Sequence, residues 1–340
     1  MFSVPAEKRD RLVDGADAGP RPGCRTKVTL FGWKIFNQKN GSPMKLNFAK
    51  NCLDFAILLV FPAAYMSAGL SWAAAQSDPG SLDSEAVSRI GSLVEAAIAE
   101  GEMAGCVVAA GGRNGLFYQE AFGHLQLQPE KKPMKPDTLF DLASLTKPLA
   151  TAACCMKLLE EGRIQLDDPV SKHLPEFTGR GKEAITVKHL LTHQGGLIAD
   201  NSLRDYEAGL EEAYRNIDDL KLVAAPGEKF IYTDVGFIVL GRMVERLSGY
   251  PLDEACRRYF WEPAGMRETC FNPKVSLRRR AAVTEQRDGQ WIQGVVHDPR
   301  AYHLNGVAGH AGMFSTASDL ARFAQMLLAG GSIDGERLIG

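Results

Sequence analysis

The chain has 340 residues, of which 45% are hydrophobic and 24% are charged, a globular composition that excludes collagen-like, low-complexity and wholly disordered proteins. Residues 1–75 carry ten basic and five acidic side chains, whereas the remainder carries 29 basic and 36 acidic ones, so the body of the protein is acidic. Because phosphate neutralisation supplies most nucleic-acid affinity, an acidic body without a basic cluster excludes nucleic acid as a partner.

The first predicted element is an export signal. An apolar stretch, Phe55–Met66, follows two lysines and precedes the small-residue exit Ala73–Ala75, which is the pattern of a secretory signal peptide. The pattern begins at Met44, so we predict a signal peptide over residues 44–75 and a disordered or over-extended start over residues 1–43. An uncleaved membrane anchor is the alternative, because the apolar stretch just suffices to span a bilayer. The body is then periplasmic or secreted, or else membrane-anchored and facing outside.

The body, residues 76–340, begins with a helix and a hairpin. Apolar residues at helical spacing predict a helix over residues 84–100. Two β-rich runs, Cys106–Ala110 and Leu116–Phe122, flank a turn at Arg113–Gly115 and predict an antiparallel hairpin. Two strands alone are not stable, so this hairpin needs further partners.

The rest of the body is predicted to be mainly helical. A strand-like segment, Leu139–Ala143, leads into a helix over Ser144–Glu161, and Asp288-Gly289 is a possible turn of a second hairpin. The later helices are predicted over His189–Thr192, Leu210–Leu222, Val235–Leu247, Leu252–Phe260 and Ser318–Leu328. Strong later strands are missing, so the sequence indicates an unfinished α+β fold.

Metal and disulfide chemistry have little support. Five of the seven cysteines lie in the body, and this odd number does not indicate a disulfide framework. Cys154 and Cys155, adjacent on a predicted helix, are interpreted as small core residues. His189 and His193 could share a helix face as zinc ligands, but zinc needs a third protein ligand, so a packing or capping role is favoured. We predict no metal and no cofactor.

The strongest chemical motif is S-x-x-K at Ser144–Lys147. The motif is weak alone, since Ser42–Lys45 also matches it. Its context is what distinguishes it, because Ser144 lies where a strand meets a helix and Lys147 follows one turn later on the same face. A serine hydroxyl needs such an adjacent base to act as a nucleophile. The alternative is an N-capping serine with a solvated lysine. No G-x-S-x-G elbow is present.

Four stretches resemble, in order, the serine β-lactamase-related hydrolases, a family that includes class C β-lactamases, DD-peptidases and esterases. They are FDLASLTKPLATAACCMKLLEEGRIQLDDPVSKHLPEF around Ser144, ITVKHLLTHQGGL at Ile185–Leu197, PGEKFIYTDVGFIVLG at Pro226–Gly241 and PLDEACRRYFWEPAGMRETCF at Pro251–Phe271. The resemblance covers about residues 84–330. It implies an antiparallel sheet flanked by helices plus a mainly helical domain, with the active site between them.

The resemblance also implies the catalytic roles. Ser144 is the expected nucleophile, Lys147 its proton partner and Tyr232 the second acid/base. Two such groups side by side titrate as a coupled pair, so the sequence does not decide which of them is the base.

Two features depart from the family pattern. The second catalytic motif of the family usually reads Tyr-x-Asn. Here the motif is Tyr232-Thr233-Asp234, and an ionised aspartate only accepts hydrogen bonds. Asp234 is therefore either a substrate-binding residue or merely the cap of the next helix. His310 and Gly312 match Lys/His-x-Gly, the third catalytic motif of the family, which lies on a late sheet strand. Here a helix follows at once, so we interpret them as part of a loop approaching the site and as candidate substrate-binding residues. The true third motif is then expected beyond Gly340, in a chain truncated at its C-terminus that lacks the late sheet strands.

The sequence thus predicts an exported serine hydrolase that forms an acyl-enzyme on an ester or amide. Esterase, D-Ala carboxypeptidase-like and β-lactamase-like activities all remain open, on a small-molecule or peptidoglycan-derived substrate. The alternative is a catalytically inactive, cell-wall-binding relative that acts as a sensor or scaffold.

Overall fold

A computed structural model describes residues 84–340, so the predicted extension and signal peptide lie outside the described residues. The α-helices are α1 (Ser84–Ala99), α2 (Ala153–Glu160), α3 (Val170–His173), α4 (Val187–Leu191), α5 (Leu210–Asp218), α6 (Asp234–Ser248), α7 (Leu252–Cys256), α8 (Val275–Arg278), α9 (Pro299–His303) and α10 (Ala317–Leu328). The strands are β1 (Gly105–Gly112), β2 (Gly115–Gln126), β3 (Lys132–Pro133), β4 (Phe140–Asp141), β5 (Cys270–Phe271), β6 (Val283–Arg287), β7 (Gln290–Gln293), β8 (Met313–Ser315), β9 (Ser332–Ile333) and β10 (Glu336–Arg337). Within residues 84–340 no helix is long and apolar enough to cross a bilayer.

The predicted first helix and hairpin are confirmed. β1 and β2 pair antiparallel up to Gly112 opposite Gly115, and β3 adds to the other side of β2. Helix α1 packs on this sheet through Ile90, Val94 and Ile98, which lie against a buried cluster of Cys106, Val108 and Phe122. Among the described residues no strand pairs with the outer edge of β1, as expected from the lack of strong later strands.

A second small sheet joins distant parts of the chain beside the candidate nucleophile. β8 lies in its centre, with Phe140 of β4 opposite Ser315 on one side and Cys270 of β5 opposite Phe314 on the other. Strands this short show no alternating pattern, which is why the sequence did not reveal β5 and β8. The second hairpin is confirmed, since β6 and β7 flank Asp288-Gly289.

The helix predicted over Ser144–Glu161 forms, but its first half is irregular. A 3₁₀ turn at Ala143–Leu145 and a π-helical turn at Lys147–Ala152 precede α2. Pro148 lies in the first turn of the π-helical segment, where its missing N–H removes no helical hydrogen bond. Helix α5 stops at Asp218, short of the predicted Leu222.

The main core forms around α6, which is buried on most of its faces. Helices α2 and α7 pack against it, and the predicted core position of Cys154 and Cys155 is confirmed, since both are fully buried. The Sγ atoms of Cys154 and Cys256 lie 3.4 Å apart, and both thiols are free. This core fixes the N-terminal end of α6 beside the turn that carries Ser144.

Candidate active site

Ser144 lies in a strained turn between β4 and the π-helical segment. The preceding residue, Ala143, has a φ of 48°, in the left-handed region that a side chain disfavours. Its N–H donates to Asp141 Oδ1 at 2.9 Å, while Asp141 Oδ2 accepts from the backbone and the Nδ1 of His297, both at 2.9 Å. The Asp141 side chain is almost fully buried, so it secures the turn that presents Ser144.

Lys147 is buried next to Ser144, with 3% of its side chain exposed. Its Nζ donates to Ser144 Oγ at 2.8 Å and to the carbonyl oxygen of His310 at 3.2 Å. A third oxygen, Asp234 Oδ1, lies 2.6 Å from the same nitrogen. The alternative of a solvated lysine beside a capping serine is therefore wrong, because the lysine is enclosed and contacts the serine directly.

Tyr232 reaches the same site from 85 residues further along the chain. The centre of its ring lies 4.9 Å from Lys147 Nζ, while 47% of the residue stays exposed. Within residues 84–340 its hydroxyl makes no hydrogen bond to Ser144 or Lys147. The structure thus places the face of the Tyr232 ring, and not its hydroxyl, against Lys147.

Asp234 is held at the first position of α6 with its carboxylate toward Lys147. The cap of α6 is Thr233, whose Oγ1 accepts from the N–H of Gly236, so the alternative that Asp234 caps this helix is wrong. The N–H of Asp234 donates to the carbonyl of Ala199 at 3.0 Å. Burial and the nearby charge of Asp234 raise the pKa of the Asp200 carboxyl above its usual range. Asp234 therefore faces the Lys147 ammonium and has a second carboxyl, Asp200, beside it.

The loop with His310 and Gly312 lies at the site, but its side chains face inward. The His310 side chain is fully buried, and its Nε2 lies 2.9 Å from Asp298 Oδ1. Only its backbone carbonyl, which accepts from Lys147, contacts the catalytic group. Gly312 has a φ of 112°, and a Cβ there would lie 2.5 Å from the carbonyl oxygen of Gly306. A substrate-binding role for this loop stays a prediction.

One group of side chains among the described residues could supply metal ligands. Atoms of Asp234, Asp298 and His310 lie within 4.8 Å of one another. Burial opposes ionisation of Asp298, but the hydrogen bond and charge of His310 outweigh it and hold the pKa of that carboxyl well below its usual range. Lys147 already neutralises Asp234. Because each carboxylate has a partner of this chain, we assign the group to the hydrogen-bond network of the site.

Sequence reasoning missed Asp141, His297 and Asp298 and gave His193 no part in the site. Asp141 could have been suspected, because an aspartate just before a strand-to-helix turn often bonds the backbone two residues on. Asp298 and His297 come from a part of the chain without a motif, and only the fold brings them close. The predicted capping role is confirmed for His189, which closes a reciprocal capping box with Thr186.

Comparison with known proteins identifies the family to which the chain belongs. A family model described as Beta-lactamase matches residues 90–339. The chain belongs to the β-lactamase family, and the resemblance seen in its motifs is confirmed.

The chain is also similar to individual proteins from bacteria. The Putative D-alanyl-D-alanine carboxypeptidase of Escherichia coli (strain K12) is 34% identical over 255 residues, which cover 64% of this chain and 58% of that protein. The N-acetylmuramyl-L-alanine amidase of Bacillus subtilis (strain 168) is 32% identical over 244 residues, covering 63% of this chain and 55% of that protein. The chain thus spans little more than half the length of these relatives.

Solved structures confirm the predicted α+β fold class. The octameric penicillin-binding protein homologue from Pyrococcus abyssi aligns with a TM-score of 0.61 and 27% identity, over 75% of this chain and 58% of that one. EstCE1, described as a hydrolase with promiscuous acyltransferase activity, aligns with a TM-score of 0.61 and 26% identity, over 74% of each chain. The described residues therefore adopt a β-lactamase/transpeptidase-like fold.

Proposed function

We propose that this chain is a serine hydrolase that forms an acyl-enzyme on Ser144. The observation that carries the proposal is the contact of 2.8 Å between the buried Lys147 Nζ and Ser144 Oγ, at the end of a strand in a fold of this family. A catalytic nucleophile and its proton partner must lie within hydrogen-bond reach, and this pair does.

The proposed reaction has two steps on one serine. Ser144 Oγ attacks the carbonyl carbon of an ester or amide, and its proton passes to the deprotonated member of the Lys147–Tyr232 pair, which is the Tyr232 phenolate when Lys147 is an ammonium. The bond to the leaving alcohol or amine then breaks, and the leaving group takes that proton. Water next attacks the acyl-serine ester and gives up a proton, which passes through the Lys147–Tyr232 pair to Ser144 Oγ as the acyl bond breaks and the carboxylic acid is released. The backbone amide of Ser144 is the donor that we assign to the developing oxyanion.

Asp234 distinguishes this site from one with the usual asparagine. An asparagine offers a donor and an acceptor to a substrate amide, whereas the ionised Asp234 only accepts and is neutralised by Lys147 at 2.6 Å. We therefore assign Asp234 first to holding the Lys147 ammonium beside Ser144. An N–H of the substrate can still donate to the second oxygen of this carboxylate.

The proposed substrate is a small ester or amide, with peptidoglycan-derived compounds as the natural class. Support comes from the names of the relatives, a Putative D-alanyl-D-alanine carboxypeptidase and an N-acetylmuramyl-L-alanine amidase. These names also support the proposed export of the chain, periplasmic or secreted. N-terminal mass spectrometry of the exported protein tests this, since we expect it to begin near Gln76.

Hydrolysis assays decide between an enzyme and an inactive binder. Wild-type protein and Ser144→Ala are incubated with p-nitrophenyl acetate, N-acetylmuramyl-L-alanine and a peptide ending in D-Ala-D-Ala. We expect turnover of the activated ester by wild type only, and cleavage of one of the two amides identifies the natural bond. Equal turnover by Ser144→Ala contradicts the proposal. Binding of cell-wall fragments by wild type without any hydrolysis indicates the scaffold instead.

A further inference from the structure

His193 contacts three successive residues of the segment that carries Tyr232. Its carbonyl oxygen accepts from the N–H of Ile231 at 2.8 Å, and its Nδ1 accepts from the N–H of Thr233 at 3.1 Å. Between these two hydrogen bonds, the centres of the His193 and Tyr232 rings lie 4.5 Å apart at an angle of 31°. Two hydrogen bonds, one to each neighbour of Tyr232, and the packing of the two rings thus fix this segment on His193.

The backbone at His193 is adapted to this position. Its φ is 57°, which is uncommon for a residue with a side chain and turns the ring back toward residues 231–233. Because Nδ1 accepts from an amide, the neutral imidazole carries its proton on Nε2. Two more rings surround it, those of Phe230 at 5.7 Å and Phe237 at 5.1 Å.

Tyr232 needs such support because little else holds its side chain. Nearly half of the residue is exposed, and within residues 84–340 its hydroxyl makes no hydrogen bond. An exposed aromatic side chain without a polar anchor is free to leave its position unless another group packs against it. Among the described residues, the His193 ring packs on the Tyr232 ring and the Lys147 ammonium lies over it.

We infer that His193 is a positioning residue, which keeps the Tyr232 ring against Lys147 so that the phenol can share in the proton transfer at Ser144. The inference rests on the proposed function. Lys147 and Asp234 are the charged groups that face the imidazole, and burial together with the Lys147 charge lowers the pKa of His193. The ring therefore stays neutral, and its Nδ1 stays an acceptor for Thr233, at neutral pH.

The test combines two substitutions in the whole chain. His193→Asn tolerates a positive φ and keeps an acceptor for the Thr233 N–H, so it removes mainly the ring. We expect kcat on p-nitrophenyl acetate to fall about tenfold with little change in KM. In a Tyr232→Phe background the same substitution should add less than about a twofold loss, because the phenol that His193 positions is already gone. A further tenfold loss in that background overturns the inference.

A matched control and a second readout separate this inference from the proposed function. His189→Ala removes an N–H···Nδ1 hydrogen bond of the same kind, to Thr186, away from the Tyr232 ring, and should leave kcat within about twofold. In ¹³C-tyrosine NMR the Tyr232 signal, assigned by its loss in Tyr232→Phe, should shift in His193→Asn and not in His189→Ala. An unshifted signal in His193→Asn overturns the inference even if the protein hydrolyses nothing. Absence of hydrolysis with the expected shift contradicts only the proposed function.

Discussion

The two segments that form the candidate active site are held in different ways. Residues 144–147 form one helical turn, in which a buried lysine contacts a serine three positions earlier. Residues 232–234 lead into the first position of α6 and reach the site across the fold, with Tyr232 half exposed and packed on His193. The first segment is specified by local spacing and burial, whereas the second depends on tertiary contacts. Substitutions should therefore affect the two segments to different degrees.

Lys147→Ala should cause the largest loss of hydrolytic activity. Its side chain is the one that donates to Ser144 Oγ among the described residues, and without it the Asp234 carboxylate is left unpaired near the nucleophile. We expect kcat/KM for an activated ester to fall about 10²–10⁴-fold, as measured by steady-state kinetics on protein shown to be folded by circular dichroism. Activity above a tenth of wild type contradicts the assigned role of this lysine.

Tyr232→Phe should lower kcat by a smaller factor, about 10–100-fold. The phenyl ring keeps its packing on His193 and Lys147, and the hydroxyl has no hydrogen bond to lose within residues 84–340, so the free energy of unfolding should change by less than about 0.5 kcal/mol. Kinetics and urea unfolding measure the two effects. A loss of activity as large as that of Lys147→Ala would contradict the proposed difference between the two segments.

Asp141→Asn tests the turn that presents Ser144. An asparagine amide nitrogen cannot accept the bonds that one Asp141 oxygen receives, so we expect a loss of about 1–3 kcal/mol in the free energy of unfolding. Misplacement of Ser144 should also lower kcat about tenfold in the folded protein. Asp137→Asn is the control, because the Asp137 side chain is more than half exposed and its contact of 3.5 Å with Arg280 should contribute less than about 0.5 kcal/mol. Equal effects of the two substitutions would contradict a specific role for Asp141.

The smallest expected effect is a pH dependence of stability through His193. Burial and the Lys147 charge lower its pKa in the folded protein below the ordinary value of about 6.5, so folding favours the neutral ring. The stabilisation by this ring is thus complete above about pH 6.5 and is lost as the pH falls through the folded-state pKa. The melting temperature of wild type should exceed that of His193→Asn at pH 8, and the gap should narrow by pH 5. A gap that widens on acidification would show that the ring is stabilised as the cation.

Much of the first segment and little of the second could be predicted from the sequence. Ser144 and Lys147 are one helical turn apart, so their contact follows from the periodicity of a helix. Helix α1 and the first hairpin were predicted for the same reason, because their patterns are local. Tyr232 was placed only through the resemblance to a family, and nothing in its spacing shows that His193 packs on it.

The remaining contacts were hidden because they join short elements from distant parts of the chain. The two- and three-residue strands β4, β5 and β8 carry no periodic signal, yet they bring Asp141 close to His297. The ion pair between Lys147 and Asp234 likewise depends on how α6 packs in the core. The capping role that was one of two alternatives for Asp234 belongs to Thr233, one residue earlier, whose side chain accepts from the N–H of Gly236.

The central claim is that Ser144 is a nucleophile activated by Lys147, and covalent labelling tests it most directly. Wild type, Ser144→Ala and Lys147→Ala are incubated with a fluorophosphonate, and the adduct is located by mass spectrometry of the intact protein and its peptides. We predict one adduct per chain, on Ser144, with no adduct in Ser144→Ala and slow labelling in Lys147→Ala. An adduct on another residue, or wild type and Lys147→Ala labelling at the same rate, would contradict the claim.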